Sequence, residues 1–172
     1  MKVALVSLNQ SWEDKEANRL KVRNCFQTIA FRNMDLVIFP EMTLTGFTMN
    51  VKEHAEEAEN SATIRFFTDC ACQYGVYIGF GMILKAGIKA ANHFIIVSPE
   101  GEMCADYIKI HPFSYAGEDR FYEKGKHLTS LEIQGVPIGL SICYDLRFPE
   151  IFQALSRTDK LILNIANWPE RR

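Results

Sequence analysis

The sequence predicts an α/β layer fold, and three observations predict it. Short apolar runs alternate with longer amphipathic stretches, the pattern of strands interleaved with helices. The 172 residues are 48% hydrophobic and 23% charged, an ordinary globular balance with enough chain to bury a core. No repeat, low-complexity tract or Pro/Gly/Ser linker divides the chain, so a single domain over 1–172 is expected.

Each element follows from its local pattern. Residues 3–8 read as a first strand. Asp14 can cap a helix over 15–32, where Ala17, Leu20, Phe26, Ile29 and Ala30 form an approximate helical stripe. Residues 35–39 are a second strand, stopped by Pro40. The acidic stretch 53–59 reads as a solvated helical face, and a helix over 61–74 follows it. Residues 76–84, 92–98 and 103–109 read as strands, the last two joined by a turn at Pro99-Glu100-Gly101-Glu102. Residues 128–133 and 136–142 are a strand pair parted by Gly135, and Pro149 opens another helix. Residues 160–165 are a last strand, Leu-Ile-Leu rich and expected to be buried on both faces. The chain stops just beyond it, which points either to a small fold or to a shortened version of a larger one.

Composition narrows the function. A formal charge of −2 gives no electrostatic reason to expect nucleic acid or an anionic membrane as partner. The first eight residues are too short and too soon polar for a secretory core, and no apolar run reaches the ~20 residues of a membrane helix. Five irregularly spaced cysteines argue against a secreted disulfide framework and place the chain in a reducing cytoplasm. There each thiol is free to be core filler or chemistry.

Three strand ends carry the chemistry. Cys143 lies where the apolar strand Gly139-Leu140-Ser141-Ile142 runs into the polar turn Tyr144-Asp145-Leu146-Arg147. A thiol on such an elbow is rigidly presented, with backbone N–H groups able to face a substrate. A free cysteine has a pKa of ~8.5, so a base or cation must help it act as a nucleophile; a buried structural cysteine is the competing reading. Glu41 ends the run Leu36-Val37-Ile38-Phe39-Pro40, where α/β folds place their sites and partial desolvation lets a carboxylate shuttle protons. Lys109 closes a strand on the same face as Tyr107, able to favour a thiolate or an oxyanion. Taken singly, Glu41 and Lys109 read as ordinary loop and strand-end charges. Together, base, cation and thiol match cleavage of a carbon–nitrogen bond through a covalent acyl-enzyme. Cys70-Ala71-Cys72 is no metal clip, because helical positions two apart point to different sides. Gly79-Phe80-Gly81 lacks the third glycine of a dinucleotide fingerprint. The chemistry needs no cofactor and no metal.

At these residues the sequence resembles the nitrilase superfamily of carbon–nitrogen hydrolases. Phe39-Pro40-Glu41 with Gly46-Phe47, then Lys109, then Cys143-Tyr144-Asp145-Leu146-Arg147-Phe148-Pro149-Glu150 stand in that family's order. The resemblance implies an α-β-β-α sandwich, homo-oligomers and a small-molecule amide substrate. It also implies Cys143 as nucleophile, Glu41 as general base and acid, and Lys109 with the Tyr144 N–H as oxyanion donors. A second glutamate that positions the lysine matches Glu118 best, with Asp119 and Glu123 as alternatives. The Ala166-Asn167-Trp168-Pro169 stretch looks most like the omega-amidase branch, which hydrolyses the side-chain amide of oxo-acids such as 2-oxoglutaramate. A carboxylate on such a substrate calls for a cation. Arg147 is a candidate, although pairing with Asp145 or Glu150 is the expected role; Trp168, Phe47 and Tyr115 are candidate pocket walls or plain packing. Carbamoyl amines and nitriles are alternative substrates within the class. Full-length members continue past the Trp-Pro segment, so the sandwich is expected to be incomplete. A shortened relative acting as a binding or oligomerisation module is the non-enzymatic alternative.

Overall fold

The computed structural model describes residues 1–28 and 33–168. Two sheets carry the fold. The six-stranded sheet runs β1 (Val3–Leu5), β2 (Leu36–Ile38), β3 (Tyr77–Ala86), β4 (Lys89–Val97) and β5 (Met103–Ile108), with the short β6 (Tyr122–Glu123) beside β4. The three-stranded sheet orders β7 (Ser130–Ile133), β8 (Val136–Ile142) and β9 (Leu161–Ile165). β1, β2 and β3 are mutually parallel, whereas β3, β4 and β5 are antiparallel neighbours. β7 and β8 form a hairpin whose turn residues Gln134 and Gly135 both have positive φ, 51° and 74°. That is the left-handed pair a two-residue type I′ turn needs.

Strand alternation divides the apolar residues between two cores. Val37, Ile78, Phe80, Ile95 and Val97 face outward onto the helices α1 (Lys15–Thr28) and α3 (Ala62–Tyr74), meeting Val22, Phe26, Phe67 and Cys70. Leu36, Ile38, Phe94, Ile96 and Tyr107 face inward onto Ile138, Leu140, Ile142, Leu163 and Ile165 of the second sheet. On the far side of β8, Leu155 of the helix Pro149–Leu155 packs beside Gly139. The layers are therefore helix, sheet, sheet, helix, the α-β-β-α sandwich that the resemblance implied.

Helix ends follow the sequence. Asp14 accepts from the Ala17 N–H at 2.9 Å, and Ser61 accepts from the Ile64 N–H at 3.0 Å. Gly75 closes α3 in the left-handed region at φ 62°.

Several expectations need correction. The first strand ends at Leu5, and the chain then runs into the loop of Gln10, whose side chain is used at the site. Residues 29–32 of the expected first helix lie outside the described residues. The acidic stretch is α-helical only at the end of α2 (Val51–His54), with a 3-10 turn at Ala58–Asn60, and Glu56 is not a solvated charge. It is half-buried, paired with Lys15 Nζ at 2.6 Å, and accepts from Ser61 Oγ and Thr63 Oγ1, each at 2.6 Å. β9 is not buried on both faces. It is an edge strand whose Leu163 and Ile165 are buried, while Leu161, Ile162 and Asn164 are only half-buried.

Candidate active site

Ladder geometry brings the three chemistry-bearing strand ends to one place. β2 delivers Glu41 three residues past its end, β5 delivers Lys109 and β8 delivers Cys143. Glu41 sits on a tight turn laid against β3. The Phe39 N–H donates to the Gly79 carbonyl at 2.8 Å and the Thr43 N–H to the Gly81 carbonyl at 2.8 Å. A Cβ on Gly81 would stand 2.4 Å from the Met42 nitrogen and 2.7 Å from the Glu41 Cα. Glycine at 81 is therefore what allows the Glu41 turn to approach the sheet. Gln10 ties the turn from outside, its Nε2 donating to the carbonyls of Met42 at 2.8 Å and Thr43 at 3.0 Å.

Lys109 is 1% exposed, and Glu41 and Glu118 are fully buried. Lys109 Nζ donates to Glu41 Oε1 at 2.9 Å and to Glu118 Oε2 at 2.9 Å. Burial opposes the ammonium charge, but Glu41 and then Glu118 outweigh it and hold the Lys109 pKa above its ordinary value. Lys109 is thus a fixed cation. Burial pushes the Glu118 carboxyl up, against the opposing pull of Lys109. Asp119 and Glu123 are exposed, Glu123 pairing with Lys89 at 3.4 Å. Of the three acids weighed for the second glutamate, Glu118 is the one that reaches Lys109.

Cys143 opens a short helical turn, 143–147, with φ +47°. A left-handed non-glycine residue is costly and clusters at functional sites. The elbow is held by Asp145, which is fully buried. It accepts from Tyr107 Oη at 2.7 Å, from the His111 N–H at 2.9 Å and from the Ile142 N–H at 3.0 Å. Burial first, then the Glu41 charge, push the Cys143 pKa up to about 12, while Lys109 and the Trp168 indole pull the other way. Burial and the Glu41 charge thus favour the neutral thiol over the thiolate. Trp168 Nε1 donates to Cys143 Sγ at 2.7 Å.

Two clefts meet over Cys143. One, of about 600 Å³, is lined by Phe47, Lys109, Phe113, Tyr115, Ala116, Cys143 and Asn167. The other, of about 430 Å³, is lined by Phe113, Tyr115, Cys143, Tyr144, Arg147 and Trp168. Seven of the nine residues singled out in the sequence line these clefts, and the other two, Glu41 and Glu118, are buried against Lys109. Lys109 Nζ lies 5.5 Å from the centroid of the Phe47 ring. The expected pairing of Arg147 with Asp145 does not occur, because Tyr107, His111 and the Ile142 N–H occupy that carboxylate. Arg147 is exposed and makes no ion pair with Glu150 or any other described residue. Its side chain borders the cleft instead.

Sequence reasoning missed Asn92, Gln10 and Asn167. Asn92 Nδ2 donates to Glu41 Oε1 at 2.7 Å and to Glu118 Oε1 at 3.2 Å. The Asn167 N–H donates to Glu41 Oε2 at 3.0 Å, and its side chain donates to Gln10 Oε1 at 2.6 Å. Only the strand register carries a signal for Asn92, as a polar side chain on the inward face of β4 beside Phe94 and Ile96. Among the described residues no cluster of three or more His, Cys, Asp or Glu side chains is arranged to hold a metal, and no helix is long and apolar enough to cross a membrane.

Comparison with known proteins places these observations. The family profile described as Carbon-nitrogen hydrolase matches residues 2–171. An omega-amidase, YafV of Yersinia enterocolitica, is 33% identical over 100% of this chain and 65% of its own length. A 2-oxoglutaramate amidase of Bacillus subtilis is 28% identical over 90% of this chain and 61% of its own length. The crystal structure of XC1258 from Xanthomonas campestris, a CN-hydrolase superfamily protein with an arsenic adduct in its active site, superposes with a TM-score of 0.88 at 29% identity. It covers 99% of this chain and 66% of that one. The chain thus spans about 65% of the length of its first curated relative.

Proposed function

We propose that this chain, which belongs to the carbon–nitrogen hydrolase family, carries the catalytic centre of an amidase that cleaves the omega-amide of a small oxo-acid such as 2-oxoglutaramate. The observation that carries the reading is Lys109, held between Glu41 and Glu118 at 2.9 Å from each, in the cleft that also contains Cys143. Glu41 takes the Cys143 proton and the sulfur attacks the amide carbon. The carbonyl electrons move to oxygen, where the Lys109 ammonium and the Tyr144 N–H donate to them. Tyr144 stands in the first turn of its helical segment, where N–H groups have no partner within the helix. The tetrahedral centre collapses, the C–N bond breaks, and Glu41 returns the proton to the departing ammonia. Water then attacks the thioester with Glu41 as base, the C–S bond breaks, and the acid leaves as Cys143 regains its proton. A thiol favoured in its neutral form suits this sequence, because Glu41 removes the proton as the sulfur attacks.

Support for the substrate class comes from the walls. Phe47, Phe113, Tyr115 and Trp168 are apolar surfaces beside the sulfur, and the Arg147 guanidinium can meet a carboxylate. The relatives described as omega-amidase and 2-oxoglutaramate amidase fit an amide that carries such a carboxylate. We read 1–172 as one domain, working in a reducing cytoplasm and assembling with copies of itself.

The test is ammonia release from 2-oxoglutaramate, against a panel of carbamoyl amines and nitriles. Cys143→Ala is expected to abolish release while leaving the circular dichroism spectrum unchanged. Ammonia release that survives Cys143→Ala rules out the thioester route, and carbon dioxide released together with ammonia from carbamoyl substrates reassigns the substrate class.

A further inference from the structure

The amide of Asn92 touches both carboxylates of the site at once. The residue is 1% exposed, and its Nδ2 donates to Glu41 Oε1 at 2.7 Å and Glu118 Oε1 at 3.2 Å. Its backbone carbonyl accepts from the Lys109 N–H at 2.9 Å. Asn92 therefore contacts all three charged residues, from a strand that carries none of them. Its other end is left bare: Asn92 Oδ1 is buried and has no hydrogen-bond partner among the described residues.

That asymmetry is informative. A buried acceptor without a donor is destabilising, so the amide's contribution lies in its donor end. The orientation is fixed electrostatically, because a flipped amide would press Oδ1 against two carboxylate oxygens. Nδ2 and Lys109 Nζ both bind Glu41 Oε1. The remaining oxygen, Oε2, has the Asn167 N–H as its partner at 3.0 Å. With Oε1 clamped, the carboxylate cannot rotate its oxygens freely relative to Cys143.

We propose that Asn92 is a positioning residue, which locks Glu41 in one rotamer towards Cys143 and bridges Glu41 and Glu118 beside Lys109. This rests on the reading of Glu41 as the proton carrier of Cys143. The charged and titratable groups facing the amide and its two carboxylates are Glu41, Glu118, Lys109, Cys143 and Tyr122, the last sensing both carboxylates from β6. Replacing the amide by a carboxylate puts a third negative charge among them. Like charges disfavour ionisation, so proton uptake shifts to higher pH.

The test compares the parent with Asn92→Leu and Asn92→Asp. Kinetics of ammonia release from 2-oxoglutaramate are followed against pH, and mass spectrometry follows iodoacetamide alkylation of Cys143 against pH. Asn92→Leu is expected to lower kcat about a hundredfold, as small misplacements of a catalytic group do, with KM within about threefold of the parent, since Asn92 lines neither cleft. Asn92→Asp is expected to move the acid limb of the kcat profile, and the midpoint of alkylation, upward by about one pH unit. Folded variants whose kcat and pH profiles superpose on the parent's overturn the proposal, as does a loss confined to KM. If the parent alkylates at Cys143 but releases no ammonia, the amidase reading fails. The alkylation midpoint of Asn92→Asp then still decides: a shift supports Asn92, and superposition overturns it. Asn92→Asp, being isosteric, keeps the test available should Asn92→Leu fail to fold.

Discussion

Among the individual residues, Arg147 shows how far a local pattern can mislead. With Asp145 two positions before it and Glu150 three after, an ion pair on the elbow is the natural expectation. The structure gives Asp145 to donors from β5, the 111 loop and the end of β8, and the guanidinium borders the cleft beside Cys143. If it meets a substrate carboxylate, Arg147→Met removes a charge-assisted bond that is expected to matter equally in ground and transition states. KM for 2-oxoglutaramate should then rise about tenfold or more, with kcat little changed, and an uncharged amide of equal length should show no rise. Steady-state kinetics on the two substrates check this. Glu118 was legible as one of three acids, but spacing could not separate it from Asp119 and Glu123. Burial did, because only Glu118 turns inward onto Lys109. Asn92 was not legible, since one polar residue in an apolar strand looks the same whether it binds two carboxylates or a water.

Among the elements, the segment that looked most solvent-like carries a tie between three parts of the chain. Glu56 joins α1 through Lys15, and the start of α3 through Ser61 and Thr63. Its N–H donates to the Ile83 carbonyl of β3 at 3.1 Å. Burial works against its charge, but these bonds more than offset it and hold the Glu56 pKa down to about 2, against 4.5 for an ordinary glutamate. A depressed carboxyl stabilises the fold above its unfolded pKa, and that contribution is lost as pH falls through the folded value. Parent and Glu56→Gln should therefore differ in melting temperature above pH 4.5, with the parent higher, and the gap should close as pH falls towards about 2. Thermal melts across that range measure it. Helix and strand positions were mostly readable because capping and alternation are local; Asp14, Ser61, Gly75 and the Gln134-Gly135 turn each do what their residue type allows. Strand ends were less readable, since ladder pairing with distant partners decides where β1 stops and where β3 continues.

In the molecule as a whole, the first sheet stands between the two cores, and Phe94 and Tyr107 are the fully buried rings on its inter-sheet side. A Cβ on Gly79 would come within 2.9 Å of Phe94, so that ring occupies the space that glycine leaves. Phe94→Ala should cost about 3–5 kcal/mol, read as a lower denaturant midpoint. Because Asn92 shares its face of β4, cleft geometry should loosen as well, lowering kcat with it. By itself the sequence determined the alternation of strands and helices, the layer class and the placing of a thiol, a carboxylate and an ammonium at three strand ends. These follow from hydrophobic period and residue chemistry, which are properties of neighbours along the chain. Tertiary structure alone decided which acid holds Lys109, that Asn92 binds both carboxylates, and that Arg147 faces the cleft. Those are contacts between residues up to 51 positions apart, as between Asn92 and Glu41, and the packing of two sheets, not any local signal, sets which of them can touch.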